Sequence, residues 1–245
     1  VKEATGNEVA IFQRQTGAPP LQFLDDDLLR ELDTLVIVSL DHFRTEQSAA
    51  ADEVEAIRMF LGQEGRCLVV CPHHDIGMDE SLQSQQLEHI HHGDNTIPGR
   101  QKIGGFARSI LAGLGVPVQN RFGLNPSRAP NGGPAPLIVN FDLPFAEAIL
   151  RGVTTFNLHP HLPHLSVPPE YASHVDVLAR QPINPLAPRH PFTDAGNRYF
   201  DALLRVRPDG VSGTVLVCDA TLWSSAFGGL ESLRSFWINL ALFPH

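Results

Sequence analysis

The chain has 245 residues, 27 acidic against 18 basic, a formal net charge of -9, and a hydrophobic content of 42%. That apolar content excludes wholesale disorder, the acidic balance lacks the basic footprint of a nucleic-acid binder, and no apolar run approaches the roughly 20 residues of a membrane span. Three cysteines cannot make a fully paired disulfide framework, so a reducing, cytoplasmic setting is expected, and Val1-Lys2-Glu3 does not open a signal-peptide pattern.

In chain order, the apolar run at residues 9–12 predicts a first strand, and Gly17-Ala18-Pro19-Pro20 breaks it. Residues 25–32 read as a short helix with an acidic start. Residues 35–40 are the clearest strand, continuous and β-branched, and are expected to be buried on both faces. Residues 46–61 form a helix pattern whose apolar side is Val54, Ile57, Met59, Phe60 and Leu61, with Gly62 and Gly65 near its end. Residues 67–71 are the next buried strand. Strand, helix and strand this close together predict a βαβ unit and therefore a parallel sheet.

Residues 72–100 are polar and histidine-rich, a long loop with a short helix expected around 81–88. Residues 104–114 read as a helix and residues 125–136, rich in Pro, Gly, Asn and Ser, as a surface loop. Residues 137–139 and 154–158 are further strand candidates, 182–191 is a proline-rich connection, and 197–206 fits a strand or a helix. Residues 214–218 are the last strand, and an amphipathic helix over 230–243 follows. No repeat or domain-separating linker is present. The expected architecture is one α/β domain over residues 1–245, a doubly wound, mostly parallel sheet with helices on both faces and long loops.

In such a sheet, ligands bind beyond the carboxyl ends of the strands. Three polar clusters are expected there: Pro72-His73-His74-Asp75, His159-Pro160-His161 with His164, and Asp219. A fourth, His89-Ile90-His91-His92-Gly93-Asp94, lies downstream of the first. Nine of the twelve histidines fall between His73 and His174. Imidazoles with a carboxylate suit a divalent transition metal, with Zn first and Fe, Mn or Ni as alternatives. The ligands expected are His74, His91, His92, Asp94 and His161, although no HExxH or CxxC spacing is present. The alternative is that these histidines are solvated or pin the loops by hydrogen bonds. Cys71, at a strand end beside His73, His74 and His159, reads either as a nucleophile or as a packed core residue. Asp219, directly after a strand, reads as a ligand, a base or a helix cap.

The stretches 32–38, 55–60 and 65–70, with the tail Gly213-Thr214-Val215-Leu216-Val217-Cys218-Asp219-Ala220 and Phe236-Trp237-Ile238-Asn239-Leu240, resemble the class I glutamine amidotransferase-like superfamily, closest to its trehalose-utilisation (ThuA-like) and related branches. The resemblance covers about half the chain, mainly its two ends. It implies a flavodoxin-like scaffold, frequent homodimers, and Cys71 near the nucleophile elbow. The Gly-x-Cys-x-Gly elbow is replaced by Val70-Cys71-Pro72-His73, and Pro72 removes a backbone N–H that an oxyanion hole could use. The His-Pro-Glu motif is echoed by His159-Pro160-His161, with His in place of Glu. These departures point to a site remodelled around histidines.

The leading expectation is a metal-assisted hydrolase for a small molecule with an amide, ester or ring C–N bond, with Cys71, His73, His159 and Asp219 as its catalytic candidates. The competing readings are a Cys71-dependent amidase and a non-catalytic carbohydrate- or protein-binding domain. No nucleic-acid or membrane partner is expected.

Overall fold

The computed structural model describes residues 1–14, 24–41, 47–73, 82, 86, 103–160, 162–187 and 189–242. Its helices are α1 (Lys2–Thr5), α2 (Asp26–Arg30), α3 (Ala51–Leu61), α4 (Gly105–Gly113), α5 (Pro144–Ile149), α6 (Pro191–Asp194) and α7 (Leu230–Leu242). Its strands are β1 (Thr34–Val38), β2 (Cys67–Cys71), β3 (Gln119–Leu124), β4 (Ile138–Val139), β5 (Leu162–Ser166), β6 (Val175–Pro182), β7 (Tyr199–Val206) and β8 (Thr214–Cys218). Short 3-10 turns occupy Pro169–His174, Ala220–Trp223 and Ser225–Phe227.

Six strands form one sheet in the order β1-β2-β8-β7-β6-β4. β1, β2 and β8 run parallel, while β7, β6 and β4 join through antiparallel pairings. The fold is therefore α/β as expected, but the sheet is mixed rather than mostly parallel. The link between β7 and β8, residues 207–213, is too short for the dozen or more residues of a parallel crossover, so the chain turns back on itself. β3 and β5 make a separate antiparallel ribbon.

Alternation along the strands sends side chains into two apolar layers. Cys67, Val69 and Cys71 of β2, with Leu216 and Cys218 of β8, pack against Ala146 and Ile149 of α5 and Phe236 and Leu240 of α7. Leu68 and Val70, with Val215 and Val217, pack against Leu29 of α2, Ile57 and Phe60 of α3, and Ile110 of α4. Helices thus cover both faces. Every residue of β2 is buried, and full burial of each of its Leu and Val side chains contributes about 1.5–3 kcal/mol. The β3–β5 ribbon reaches both layers, with Leu124 and Leu162 in one and Leu165 in the other.

Several sequence expectations change. Residues 9–12 are not a strand; Val9 and Phe12 are exposed and Ile11 is 92% exposed, with no strand among the described residues pairing them. β1 is an edge strand and only Ile37 is buried, so burial on both faces does not hold. The helix expected from 46 begins at Ala51, where Glu53 accepts the Ala50 N–H and starts the helix. Met59 faces solvent, and the buried position nearest the start is the charged Glu53, ion-paired with Arg14 and accepting the Leu24 N–H. Residues 154–158 run outside the sheet, because the Thr154 and Thr155 N–H groups donate to the buried Ser232 Oγ of α7, at 3.1 Å each, instead of to a strand. The ambiguous 197–206 segment is strand β7. The short helix expected at 81–88 lies outside the described residues except at Leu82 and Gln86.

Candidate functional site

The parallel strands β1, β2 and β8 deliver three chain exits to one edge: Ser39 to Asp41, Pro72-His73, and Asp219. The exits are interlocked. Ser39 N donates to Cys71 O at 3.0 Å, and Ala220 N donates to Pro72 O at 3.0 Å. Asn120 of β3 places its Nδ2 between two of them, donating to Pro72 O at 3.0 Å and to Asp219 Oδ2 at 2.7 Å. Arg108 of α4 donates through Nη2 to His73 O and through Nε to Ile103 O at 3.1 Å. The helix that carries Arg108 is seated on the β1 exit. Phe106 N donates to Asp41 Oδ2 at 3.3 Å, Ala107 N to Ser39 Oγ at 3.2 Å, and Ser39 Oγ to Asp41 Oδ1. The Asp41 carboxylate thereby meets the partial positive charge of the α4 N-terminus.

Close approach here depends on Gly104, whose φ is +81° and which donates its N–H to Asp41 O at 2.8 Å. A Cβ at this position would stand 2.5 Å from His73 N and 3.2 Å from Pro72 Cα. His73 and Gly104 therefore touch.

Asp219 is almost fully buried. Its Oδ1 accepts from Thr221 N at 2.8 Å and Thr221 Oγ1 at 2.5 Å, so it caps the 3-10 turn Ala220–Trp223. Burial raises its carboxyl from 3.8 to about 7, against the lowering effect of the Thr221 and Asn120 hydrogen bonds and the Arg108 charge. The other end of the Asn120 amide, Oδ1, is buried with no hydrogen-bond partner among the described residues.

Cys71 has no exposed surface and belongs to the core. Its Sγ lies 3.5 Å from Cys218 Sγ and accepts the Trp223 indole N–H at 3.0 Å. Trp223 is itself stacked on Phe236 at 5.4 Å. The hydrogen bond with Cys71, followed by burial, pushes the Cys218 thiol up, and burial pushes Cys67 up to about 12. This geometry matches a packed core thiol and offers no surface on which Cys71 could meet a substrate.

His159 reaches the same edge without a strand to carry it. Asn157 Nδ2 donates to Thr221 O at 2.8 Å and Leu222 O at 3.1 Å, docking the segment on the turn after β8. The Asn157 Oδ1 then accepts His159 N at 3.0 Å, and the His159 ring stands edge-on to Phe227 at 4.5 Å. His164 is buried on β5 against Phe192 at 4.4 Å. His174 stacks on Tyr171 beside β6 residue Val175, which pairs with Val206 at the opposite edge of the sheet. Of the expected metal ligands, His74, His91, His92, Asp94 and His161 lie outside the described residues. Among the described residues, no three His, Cys, Asp or Glu side chains group as a metal site.

Sequence reasoning missed Ser39, Asp41, Gly104, Arg108 and Asn120. The rule that selected His73 and Asp219 also selects Ser39 and Asp41 when applied to the end of β1. Asn120 carries no such signal, because the Gln-Asn-Arg-Phe-Gly-Leu run of β3 lacks strand alternation.

No family model matches the chain, and no curated protein or solved structure matches it. No helix among the described residues is long and apolar enough to cross a membrane.

Proposed function

We propose that the carboxyl edge of β1, β2 and β8 is the active site of a hydrolase for a small molecule with an amide, ester or ring C–N bond, built on a doubly wound, glutamine amidotransferase-like scaffold. The observation that carries this reading is the mounting of His73. The turn that bears it is fixed by Asn120, Ala220, Arg108 and Gly104, from three elements and a helix cap. A backbone turn held in this way delivers its half-buried histidine to a defined place at the sheet edge, which general acid–base work requires of the group that performs it.

In this reading His74, His91, His92 and His161, with the Asp94 carboxylate, would hold a divalent metal, Zn before Fe, Mn or Ni. A bound metal of this kind supplies a water acidified to a pKa of about 7 and polarises a carbonyl oxygen. His73 is assigned the role of general base, and His159, docked through Asn157 on the turn after β8, is the second imidazole assigned to this edge. Asp219, sealed from solvent, orients the turn and does not touch substrate. Buried, unpaired thiols at all three cysteines suit a reducing, cytoplasmic compartment.

The test is turnover of a panel of chromogenic amides, esters and lactams by protein supplied with Zn, Mn, Fe or Ni. His73→Ala is expected to lower kcat by a factor of about 100 or more while the protein stays folded. Equal turnover by His73→Ala refutes the role of His73. Loss of all turnover in Cys71→Ser, with thermal stability unchanged, would transfer the reaction to the thiol.

A further inference from the structure

We propose that Asp219 acts through Asn120 as a proton-sensitive positioning residue for the Pro72–His73 turn. The argument starts from the Asn120 amide. Its Nδ2 has two acceptors, Asp219 Oδ2 at 2.7 Å and Pro72 O at 3.0 Å. Its Oδ1 is buried and has no partner among the described residues. Both acceptors demand an NH2 on the same side, so the orientation of the amide is fixed. Among the described residues nothing on the Oδ1 side helps to hold it, and the grip on Pro72 O depends on how strongly Asp219 holds the shared nitrogen.

An ionised carboxylate accepts a charge-assisted hydrogen bond, roughly twice as strong as a neutral one. When Asp219 takes up one proton from solvent, that bond becomes neutral to neutral. The amide loses its main anchor, and Pro72 O is left chiefly with the Ala220 N–H at 3.0 Å. Arg108 holds His73 O separately, so the loosening is confined to the Pro72 end of the turn. Among the described residues, the groups facing Asp219 are Thr221 on the following turn, Asn120 on β3, the Arg108 charge on α4 and the neighbouring Cys218 thiol on β8. Only Arg108 among them is charged at neutral pH. Burial brings the Asp219 carboxyl to about 7, which puts the change inside the physiological range.

The inference concerns the turn and not the reaction assigned to it, so failure to find a hydrolysed substrate would sink the functional reading and leave this one standing. It is tested by NMR of the full chain between pH 5 and 9. The Thr221 amide reports Asp219 directly, the Asn120 side-chain NH2 reports the shared bond, and the Pro72 carbonyl carbon reports the grip on the turn. All three are expected to titrate together in the wild type with a midpoint near 7. In Asp219→Asn the common transition is expected to vanish. In Asn120→Ala the Thr221 amide keeps its transition while the Pro72 carbonyl response falls by more than half. The wild-type measurement stands alone if a variant does not fold. A Thr221 amide that does not move between pH 5 and 9, or a Pro72 response that survives in Asn120→Ala, overturns the proposal.

Discussion

The contact between Gly104 and His73 gives the most decisive structural test, because the protein contains its own control. Gly104 and Gly132 share a φ of +81°, a conformation that side chains with a Cβ rarely adopt. Around Gly132 a Cβ would meet nothing within 4 Å, whereas at Gly104 it would stand 2.5 Å from His73 N and 3.1 Å from Ser39 O. Left-handed backbone costs an alanine about 1–2 kcal/mol. Forcing extra volume into packed surroundings adds about 1–3 kcal/mol. Gly132→Ala should therefore lose only the first amount, and Gly104→Ala about 2–5 kcal/mol in all. For a chain of this size each kcal/mol moves Tm by about 2–4 °C, so Gly104→Ala should melt about 4–20 °C below the wild type. Urea denaturation of both variants, with m values compared to exclude a change of unfolded state, measures the difference. Equal losses for the two variants would refute the close packing of α4 against the Pro72–His73 turn.

Three further outcomes follow from buried polar groups. The folded Asp219 holds a proton that the unfolded chain releases near 3.8, up to about 7. The native state then binds one proton more than the unfolded state across that window, so this group's contribution falls as pH rises, by roughly 4 kcal/mol in total at about 1.4 kcal/mol per pH unit. Asp219→Asn should remove that slope, and its stability relative to wild type should rise between pH 4 and 7; parallel pH profiles would contradict the burial argument. Ser232→Ala leaves the Thr154 and Thr155 N–H groups without their acceptor and should cost about 1–3 kcal/mol in chemical denaturation. Arg14→Ala leaves the buried Glu53 carboxylate without its cation and should cost about 3 kcal/mol, with partial recovery in the Arg14→Ala, Glu53→Gln double variant.

The sequence was most informative where strands are continuous and apolar. The βαβ unit of β1, α3 and β2, and the closing β8 and α7, are legible because Val, Ile and Leu runs end in turn residues or helix patterns. The carboxyl-edge rule then selects His73 and Asp219 from the sequence alone. The rest was hidden for identifiable reasons. β5 reads as a polar loop because Pro163 and His164 interrupt it, and it is a strand only because β3 lies beside it. Residues 154–158 read as a strand, but a buried serine on α7 takes the backbone N–H groups that a sheet would need. The antiparallel half of the sheet was missed because orientation depends on the connection between strands, and strand composition does not record it. Asn120 was invisible for the same reason, since a single polar residue on an unrecognised strand acquires its role only when β3 is laid against the exits of β2 and β8.

Elemental analysis of untagged protein purified without chelator, beside the His91→Ala, His92→Ala double variant, bears most directly on the hydrolase reading. About one equivalent of Zn, Fe, Mn or Ni per chain in the wild type, lost in the double variant while the thermal transition stays cooperative, is the expected result. A wild-type protein free of metal, in which none of the four ions binds or restores turnover of any amide, ester or lactam, would contradict it.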